Sequence, residues 1–318
     1  MSDELCSPEK TFLSSPSLKC LADRGFVHQC TDVSELDQTL QKSSIAAYVG
    51  FDCTAPSLHI GHLLPIMMLR WLQKFGHRPI VVIGSGTTRI GDPTGKDIAR
   101  PFLTDEEIER NSREIERVFY KFLDFSDGDN GAVIVDNFSW LRKLGLVEVL
   151  TRYGARFPMS QMLSKDSVQL RLQRSHEMSL LEFNYQVLQA IDFSHLYETY
   201  GCILQMGGGD QWGNIVSGVE LIRRYNGAKV FGLTCPLIKR ADGAKMGKSE
   251  SGAVWLSEQL LDDADYHRYW LGTPEPDLRK FMLLFTDAPE DVIDKQIDKG
   301  PVKAREFLAQ EATRLCRG

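Results

Sequence analysis

The sequence has 318 residues, of which 42% are hydrophobic and 25% are charged, and its formal net charge is −6. This composition is typical of a soluble globular protein, and the acidic balance argues against a generally basic nucleic-acid coat. Seven cysteines are scattered without a CxxC pair, and no apolar run approaches the roughly 20 residues of a membrane-spanning helix. We therefore expect a reduced, cytoplasmic protein with no membrane segment, built as one large α/β domain or as a large domain with a smaller appendage.

The first predicted elements follow a loose N-terminal tail. SLKCLADRG and SELDQTLQKS predict short amphipathic helices, the first ending at Gly25. The apolar run IAAYVGFD (45–52) predicts a buried strand that ends at the turn CTAPS. From Gly61 onward apolar residues recur at helical spacing as far as Phe75, and Gly76 supplies the stop. Pro65 is compatible with this helix because first-turn amides have no partner within the helix.

Strands and helices continue to alternate along the chain. RPIVVIG (78–84) predicts a strand followed by the glycine-rich loop SGTTRIGDPTGK, and Thr104 with Glu107 forms a capping box that opens a helix. The later segments are a strand in GAVIVDN, a helix through LLEFNYQVLQAIDF, a strand in CILQMG and a helix from QWGNIVSGVELIRR. This alternation predicts an α/β fold with a Rossmann-like, doubly wound parallel sheet, followed by a short α-helical region.

Two histidines three apart, His59 and His62, lie in PSLHIGHLLP (56–65). A zinc site needs three or four ligands, and no second Cys/His cluster exists, so we expect no structural metal. Taken alone, the pair is more typical of one structural and one exposed histidine. Its position, just past a buried strand where a helix begins, favours phosphate binding, because the helix directs free amides and its positive end there. Gly61 would let a nucleotide approach the backbone closely.

The glycine-rich loop matches neither common nucleotide motif. Arg89 stands where GxGxxG needs its third glycine, Ile90 stands where the P-loop needs glycine, and Lys96 is not followed by Ser or Thr. Neither a dinucleotide enzyme nor a Walker ATPase is therefore indicated. The segment KMGKS (245–249) places two lysines three apart on a glycine-flanked loop. Such lysines are usually solvated charge, and the functional alternative is a mobile loop that closes over a polyphosphate.

In this order, HIGH and KMGKS resemble the paired signatures of class I aminoacyl-tRNA synthetases. YVGFDCTAPSLHIGH, GHRPIVVIGSGTTRIGDPTGK, YQVLQAIDF, GGGDQWGN and DGAKMGKSESG closely resemble the bacterial-type tyrosyl-tRNA synthetases, and the similarity covers nearly the whole chain. The resemblance implies that ATP, with Mg²⁺ carried on it, and L-tyrosine form tyrosyl-adenylate, and that the tyrosyl group then passes to tRNA(Tyr).

The resemblance also implies an organisation. Residues 1–44 would be an N-terminal tail with helices, 45–235 a Rossmann-like catalytic domain with inserted dimerisation helices, and 236–318 the KMGKS loop with a helical C-terminal region. A homodimer is expected, and the apolar stretch 140–154 would contribute to it, although its periodicity equally suits a core helix. By the same resemblance we expect the C-terminal RNA-binding domain of relatives to be absent, and therefore adenylate formation but poor charging of tRNA.

Residue roles follow from the same resemblance. The groups that would stabilise charge on the reacting phosphates are His59, His62, Lys245 and Lys248. The ATP site would also include Asp52, Thr54, Gly61, Lys96, Asp210, Met246 and Ser249. In the tyrosine site, Tyr48 and Asp192 would bind the phenol hydroxyl, Asp92, Tyr185 and Gln189 the α-ammonium, and Gln211 the carboxylate. The spacing of Tyr185, Gln189 and Asp192 puts them on one helical face.

Three other functions are weighed against this one. The related synthetase for tryptophan would lack a carboxylate for a phenol, so Asp192 and Tyr48 argue against it. Another HIGH-type nucleotidyltransferase that uses no tRNA would usually be shorter and lack this set of tyrosine-pocket residues. A synthetase-like binding protein without catalysis is disfavoured by the intact histidines and lysines of the two signatures.

Overall fold

The computed structural model describes residues 12–94, 102–173, 178–238, 241, 246, 248–249 and 252–318. Its central sheet comprises β1 (Gln29–Cys30), β2 (Ala46–Asp52), β3 (Arg78–Gly84), β4 (Val133–Asp136), β5 (Cys202–Gly208) and β6 (Phe231–Cys235). The strand order is β1-β6-β5-β2-β3-β4, and every neighbouring pair is parallel except β1 with β6. The predicted doubly wound parallel sheet is confirmed. The antiparallel edge strand β1 was not predicted, because two residues carry no recognisable period.

Helices cover both faces of this sheet. Those before β5 are α1 (Pro16–Asp23), α2 (Val33–Lys42), α3 (Leu63–Lys74), α4 (Ser85–Thr88), α5 (Asp105–Phe119), α6 (Phe138–Leu141), α7 (Leu146–Glu148), α8 (Met159–Leu163), α9 (Asp166–Gln173), α10 (Leu180–Phe183) and α11 (Tyr185–Tyr200). After β5 come α12 (Trp212–Tyr225), the hairpin strands β7 (Lys248–Ser249) and β8 (Gly252–Ala253), and α13 (Asp263–Leu271), α14 (Leu278–Phe285), α15 (Glu290–Asp298) and α16 (Pro301–Arg317). Short 3₁₀ helices occupy Ile60–His62, Gly154–Arg156, Gly209–Gln211 and Glu275–Asp277, and a π-helix occupies Val149–Tyr153.

Local sequence signals explain several of these boundaries. The backbone N–H of Glu107 donates to Thr104 Oγ1 and that of Thr104 to Glu107 Oε2, which confirms the capping box of α5. Two segments differ from the prediction. The glycine-rich segment begins as a helical turn, α4, and the helix predicted through 180–193 is divided at Asn184 into α10 and α11. Asn184 Nδ2 donates to the Leu180 carbonyl (2.7 Å), so its side chain engages the helix backbone at the break.

Alternation along β2 sends its side chains to two different cores. Ala47, Val49 and Phe51 pack into the large core beneath α3 and the C-terminal helices, whereas Ala46 and Tyr48 pack on the opposite face. There the rings of Tyr48 and Phe193 of α11 lie 5.3 Å apart between centroids. Both faces of the sheet are therefore buried, and Tyr48 is directed toward α11.

The C-terminal helices are attached to the sheet domain through two arginines, of which Arg24 is buried and Arg70 is partly exposed. Arg24 donates to the carbonyls of Leu283, Thr286 and Ala288, and Arg70 of α3 forms an ion pair with Asp287. Arg70 thereby joins α3, the helix that follows the HIGH segment, to the region that follows KMGKS, and Arg24 joins the end of α1 to the same region. Among the described helices, none combines the length and the apolar character that crossing a bilayer requires.

Candidate active site

A cavity of about 520 Å³ opens at the carboxyl ends of the central strands. This is the edge where open α/β sheets bind ligands. It is lined by every predicted site residue whose side chain the structure describes: Tyr48, Asp52, Thr54, His59, Gly61, His62, Asp92, Tyr185, Gln189, Asp192, Asp210, Gln211 and Met246. Lys96 and Lys245 lie outside the described residues, and of Lys248 and Ser249 only the backbone is described.

Asp192 lies at the deep end of the cavity with 4% of its surface exposed. Its Oδ1 accepts a hydrogen bond from Trp140 Nε1 and its Oδ2 accepts one from Asn137 Nδ2, both at 2.8 Å. Burial raises the pKa of the Asp192 carboxyl to about 7, against the opposing effect of these two hydrogen bonds. A further hydrogen-bond donor would therefore strongly stabilise the ionised form of this buried carboxylate.

The Tyr48 hydroxyl is buried at the same end and has no hydrogen-bond partner within the described part of the chain. Burial, and then the charge of Asp192, raises the pKa of Tyr48 well above its ordinary value, so the hydroxyl stays protonated. Gln205, which pairs with Tyr48 in the β2–β5 register, has an Oε1 that likewise lacks a partner among the described residues. Buried polar atoms are normally satisfied, so this end of the cavity is suited to a ligand hydroxyl.

A second group of carboxylates surrounds the middle of the cavity. Asp92 accepts from Gln211 Nε2 (2.8 Å) and from the Thr94 amide (2.9 Å), and Tyr185 donates to Asp52 Oδ2 (2.9 Å). Burial, followed by the charge of Asp92, raises the pKa of Asp210. Three acidic side chains at one locus favour a cationic group such as an α-ammonium.

The deep end of the cavity and the acidic group in its middle are joined by one hydrogen-bond network. Asn137 Oδ1 accepts from the Gly86 amide (2.8 Å), which orients its Nδ2 toward both Asp192 and Thr87 Oγ1. Thr87 Oγ1 in turn donates to Asp52 Oδ1 (2.7 Å). A Cβ on Gly84 would lie 2.4 Å from Asp52 Oδ1, so glycine is needed there for this contact. The glycine-rich segment thus orients Asp52 of the acidic group, through the hydrogen bond from Thr87 and the space left by Gly84.

Both histidine rings of the HIGH segment are oriented by hydrogen bonds from backbone amides of the same segment. His59 Nδ1 accepts from the Gly61 amide (3.0 Å) and His62 Nδ1 accepts from the His59 amide (3.2 Å), with the ring centroids 4.1 Å apart. Because Nδ1 is the acceptor in both rings, the neutral imidazoles carry their protons on Nε2. Each ring therefore presents Nε2–H as its donor atom. A Cβ on Gly61 would lie 2.7 Å from His59 Cε1, so this glycine is required by the histidine cap itself.

Comparison with known proteins agrees with these features. Residues 40–318 match the family described as tRNA synthetases class I (W and Y). The chain belongs to this family of synthetases. It is 50% identical to the tyrosine–tRNA ligase of Caulobacter vibrioides over 307 residues, which are 96% of this chain and 73% of that protein. It is also 50% identical to the tyrosine–tRNA ligase of Rhodospirillum rubrum over 317 residues, which are 99% of this chain and 75% of that protein.

A solved synthetase has the same fold. The C-terminally truncated mitochondrial tyrosyl-tRNA synthetase of Aspergillus nidulans superposes with a TM-score of 0.86 and 27% identity, covering 95% of this chain and 90% of that one. The family assignment therefore rests on sequence and structure together, and the fold and family expected from the sequence are confirmed.

Sequence reasoning missed three residues of this synthetase site. Asn137 and Trp140 hold the Asp192 carboxylate, and Thr87 connects Asn137 to Asp52. Asn137 directly follows β4, so its place at the carboxyl end of a parallel strand was an available signal. Trp140 carried no such signal, because its role depends on how α6 packs beside α11.

Proposed function

We propose that the chain is a tyrosine–tRNA ligase that forms tyrosyl-adenylate from tyrosine and ATP and then transfers tyrosine to the 3′ end of tRNA(Tyr). The observation that carries the proposal is the buried pair of Asp192 and Tyr48, an acceptor and a donor with unused capacity at the deep end of the cavity. A phenol hydroxyl satisfies both, since it donates to the carboxylate and accepts from the tyrosine side chain.

The acidic group in the middle of the cavity supports the same orientation. Asp92 and Tyr185 with Gln189 would hold the α-ammonium, while Gln211, fixed by its bond to Asp92, would face the carboxylate. The ring then lies between the α-ammonium site and Asp192, and the reacting carboxylate points toward the HIGH histidines. These assignments are supported by the positions of all six tyrosine-site residues on one cavity.

The first step needs alignment and charge stabilisation more than proton transfer. The tyrosine carboxylate is already ionised at neutral pH and attacks the α-phosphorus of ATP, and pyrophosphate leaves with the bond electrons. His59 and His62, with Nε2–H as donors, would hydrogen-bond the phosphate oxygens as charge develops on them. Lys245 and Lys248 are proposed for the same role. Mg²⁺ enters with ATP as part of the nucleotide substrate.

A homodimer is also proposed. Large apolar side chains are exposed on the segment between β4 and α11, and their exposure is unusual for a surface in water. They include Leu146, Val147, Leu150, Met159, Leu163, Leu170, Leu172, Leu180 and Leu181. A second copy that covers this face would account for them. Sedimentation of the native chain and of Leu150→Asp measures the oligomeric state.

The free cysteines of the described residues suit a reducing compartment such as the cytoplasm.

The test of the proposed function is amino-acid-dependent exchange between ATP and pyrophosphate. Tyrosine, phenylalanine and tryptophan are compared in parallel, with the rate measured at several concentrations of each. We expect efficient exchange with tyrosine and little exchange with phenylalanine or tryptophan. Exchange favouring tryptophan would instead identify the sister activity of the same family, and no exchange with any of the three would refute the proposal.

A further inference from the structure

The segment that follows KMGKS is paired to the HIGH segment by backbone hydrogen bonds. The Ile60 amide donates to the Val254 carbonyl and the Leu256 amide donates to the Leu58 carbonyl, both at 2.9 Å. His59 and Trp255 form an antiparallel bridge between these bonds. Residues 254–256, here called the strap, therefore fix the backbone on both sides of His59.

The strap also continues directly from the KMGKS hairpin. Lys248 of β7 pairs with Ala253 of β8, and Val254 is the next residue. A short backbone path therefore connects the second lysine of KMGKS to the first histidine of HIGH. A displacement of the strap would therefore act on the backbone of both signatures.

One buried guanidinium, that of Arg317, donates hydrogen bonds to carbonyls of the strap. Arg317 of α16, whose side chain is 4% exposed, donates to the carbonyls of Leu256 and Trp255, and also to that of Leu261 at 3.1 Å. Its Nε lies 3.1 Å from Asp263 Oδ1, a charge contact and not an aligned hydrogen bond. The planar guanidinium also lies over the Tyr266 ring, 4.4 Å from its centroid.

Most of the carbonyls that Arg317 binds belong to the strap. Two of its three backbone acceptors, Trp255 and Leu256, belong to the residues that pair with HIGH. A rigid fork of donors can hold several carbonyls at once, which the single ammonium of a lysine cannot do with the same geometry. An arginine placed only to anchor α16 would not need to bind the backbone beside His59.

We infer that Arg317 is a positioning residue for the ATP half of the active site, which it serves through the strap by fixing the HIGH histidines relative to KMGKS. The inference rests on the proposed function, because it assigns the strap to adenylate formation. It predicts separable effects on ATP use and on tyrosine binding, since the contacts that Arg317 makes among the described residues include none of the proposed tyrosine-site residues.

The test compares Arg317→Met with Arg314→Met. Arg314 lies on the same helix, is exposed and pairs only with Glu311 among the contacts described for it, so its replacement controls for the loss of a cation from α16. A misplacement of about 1 Å at the reacting groups costs up to roughly a hundredfold in rate. For Arg317→Met we therefore expect kcat/KM for ATP in pyrophosphate exchange to fall about ten- to a hundredfold, with the Kd for tyrosine changed less than about twofold. Arg314→Met should match the native chain in both.

Hydrogen–deuterium exchange gives a readout that does not depend on activity. In Arg317→Met, peptides that contain the amides of Ile60 and Leu256 should exchange faster, while peptides of β3 and β4 should not change. Asp263→Asn removes the charge contact with Arg317 but leaves its bonds to the carbonyls, so this variant should behave as the native chain. If Arg317→Met does not fold, Arg317→Lys is measured in the same assays, and we expect a smaller loss in the same direction.

Several outcomes would overturn the inference while leaving the proposed function intact. Equal losses of tyrosine affinity and of kcat/KM for ATP would assign Arg317 to general stability, as would global unfolding of both the Met and the Lys variants. Unchanged exchange of the Ile60 and Leu256 amides would show that the strap does not depend on Arg317. If the native chain itself shows no tyrosine-dependent exchange, it is the proposed function that fails.

Discussion

Trp140 donates its indole N–H to Oδ1 of Asp192 across 2.8 Å, and both groups are buried. The indole is itself stacked on His195, with ring centroids 4.3 Å apart and an interplanar angle of 20°. The bond fixes the direction of one carboxylate oxygen, and Asn137 fixes the other. Asp192 is therefore oriented by the protein itself, and in the proposed function a phenol hydroxyl would meet an acceptor already in place.

Trp140→Phe should weaken tyrosine binding through the pKa of Asp192. The indole hydrogen bond lowers the pKa of this carboxyl, so its loss raises the pKa from its value of about 7 and leaves less carboxylate at neutral pH. We expect tyrosine affinity at pH 7 to fall and to recover partly toward pH 8.5. Equilibrium binding from pH 6 to 8.5 measures it, with phenylalanine as the internal control because it has no hydroxyl. Parallel profiles for the native chain and the variant would contradict the prediction.

Asp192→Asn and Tyr48→Phe should lower the preference for tyrosine over phenylalanine. Asp192→Asn replaces a charged acceptor by a neutral amide with a single acceptor oxygen, although Trp140 and Asn137 both donate to this side chain. Tyr48→Phe would remove one neutral donor to the substrate hydroxyl. Hydrogen bonds are worth about 1.5–3 kcal/mol where one partner is charged and about 0.5–1.5 kcal/mol where both are neutral. The ratio of kcat/KM for the two amino acids in pyrophosphate exchange should therefore drop more for Asp192→Asn than for Tyr48→Phe. An unchanged ratio in both variants would show that these residues do not recognise the hydroxyl.

Asp192→Asn should also change how stability depends on pH. The folded-state pKa of Asp192 is about 7, above its unfolded value of about 3.9. Its contribution to stability is therefore complete below about pH 4 and is lost as pH rises to 7. The free energy of unfolding of the variant minus that of the native chain should rise from pH 4 to 7, by about 1.4 kcal/mol per unit of pKa difference, and then level off. Urea unfolding of both proteins measures it, and a difference independent of pH would contradict the assignment.

His62→Ala should slow adenylate formation and leave tyrosine binding nearly unchanged. Its Nε2–H is proposed to meet phosphate charge mainly in the transition state, and removal of one such donor costs about 3–4 kcal/mol, or roughly a hundredfold or more in rate. Single-turnover formation of adenylate is measured beside the Kd for tyrosine. Because His62 Nδ1 also accepts from the His59 amide, His62→Asn, whose side-chain oxygen can replace that acceptor, is the matched control for local structure. Equal losses in rate and in tyrosine affinity would make His62 structural.

Gly61→Ala tests whether the hydrogen bond between the Gly61 amide and the His59 ring is needed for adenylate formation. An added methyl would lie 2.7 Å from His59 Cε1 and 2.9 Å from His59 Nδ1, so the ring must leave its cap. We expect a slower adenylate step with tyrosine affinity and melting temperature little changed, since Gly61 is not in the core. Gly128→Ala is the control, because Gly128 is exposed and the nearest atom to a Cβ there, Asn130 Oδ1, lies 3.8 Å away. A Gly61→Ala variant with native rate would show that His59 does not need its cap.

Several strands, the start of one helix and most of the candidate site residues could be predicted from sequence, because each depends on residues close together in the chain. The apolar period of IAAYVGFD and RPIVVIG predicted β2 and β3, and the capping box at Thr104 and Glu107 predicted where α5 begins. The contiguous motifs around His59 and around Tyr185, Gln189 and Asp192 identified side chains that do line one cavity. Spacing along one strand or one helix determines which side chains share a face, and no tertiary information is needed for that.

Contacts between distant segments were decided only by the tertiary structure. Asn137 is 55 positions from Asp192, and Trp140 is 52 positions from it, so neither pairing leaves a period or a motif in the sequence. Arg317 is further still from His59, which it reaches only through the backbone of residues 254–256. The sequence by itself determined which side chains could react. The packing of α6 against α11, and of α16 against the strap, decided how those side chains are held, because orientation depends on donors and acceptors that folding alone brings together.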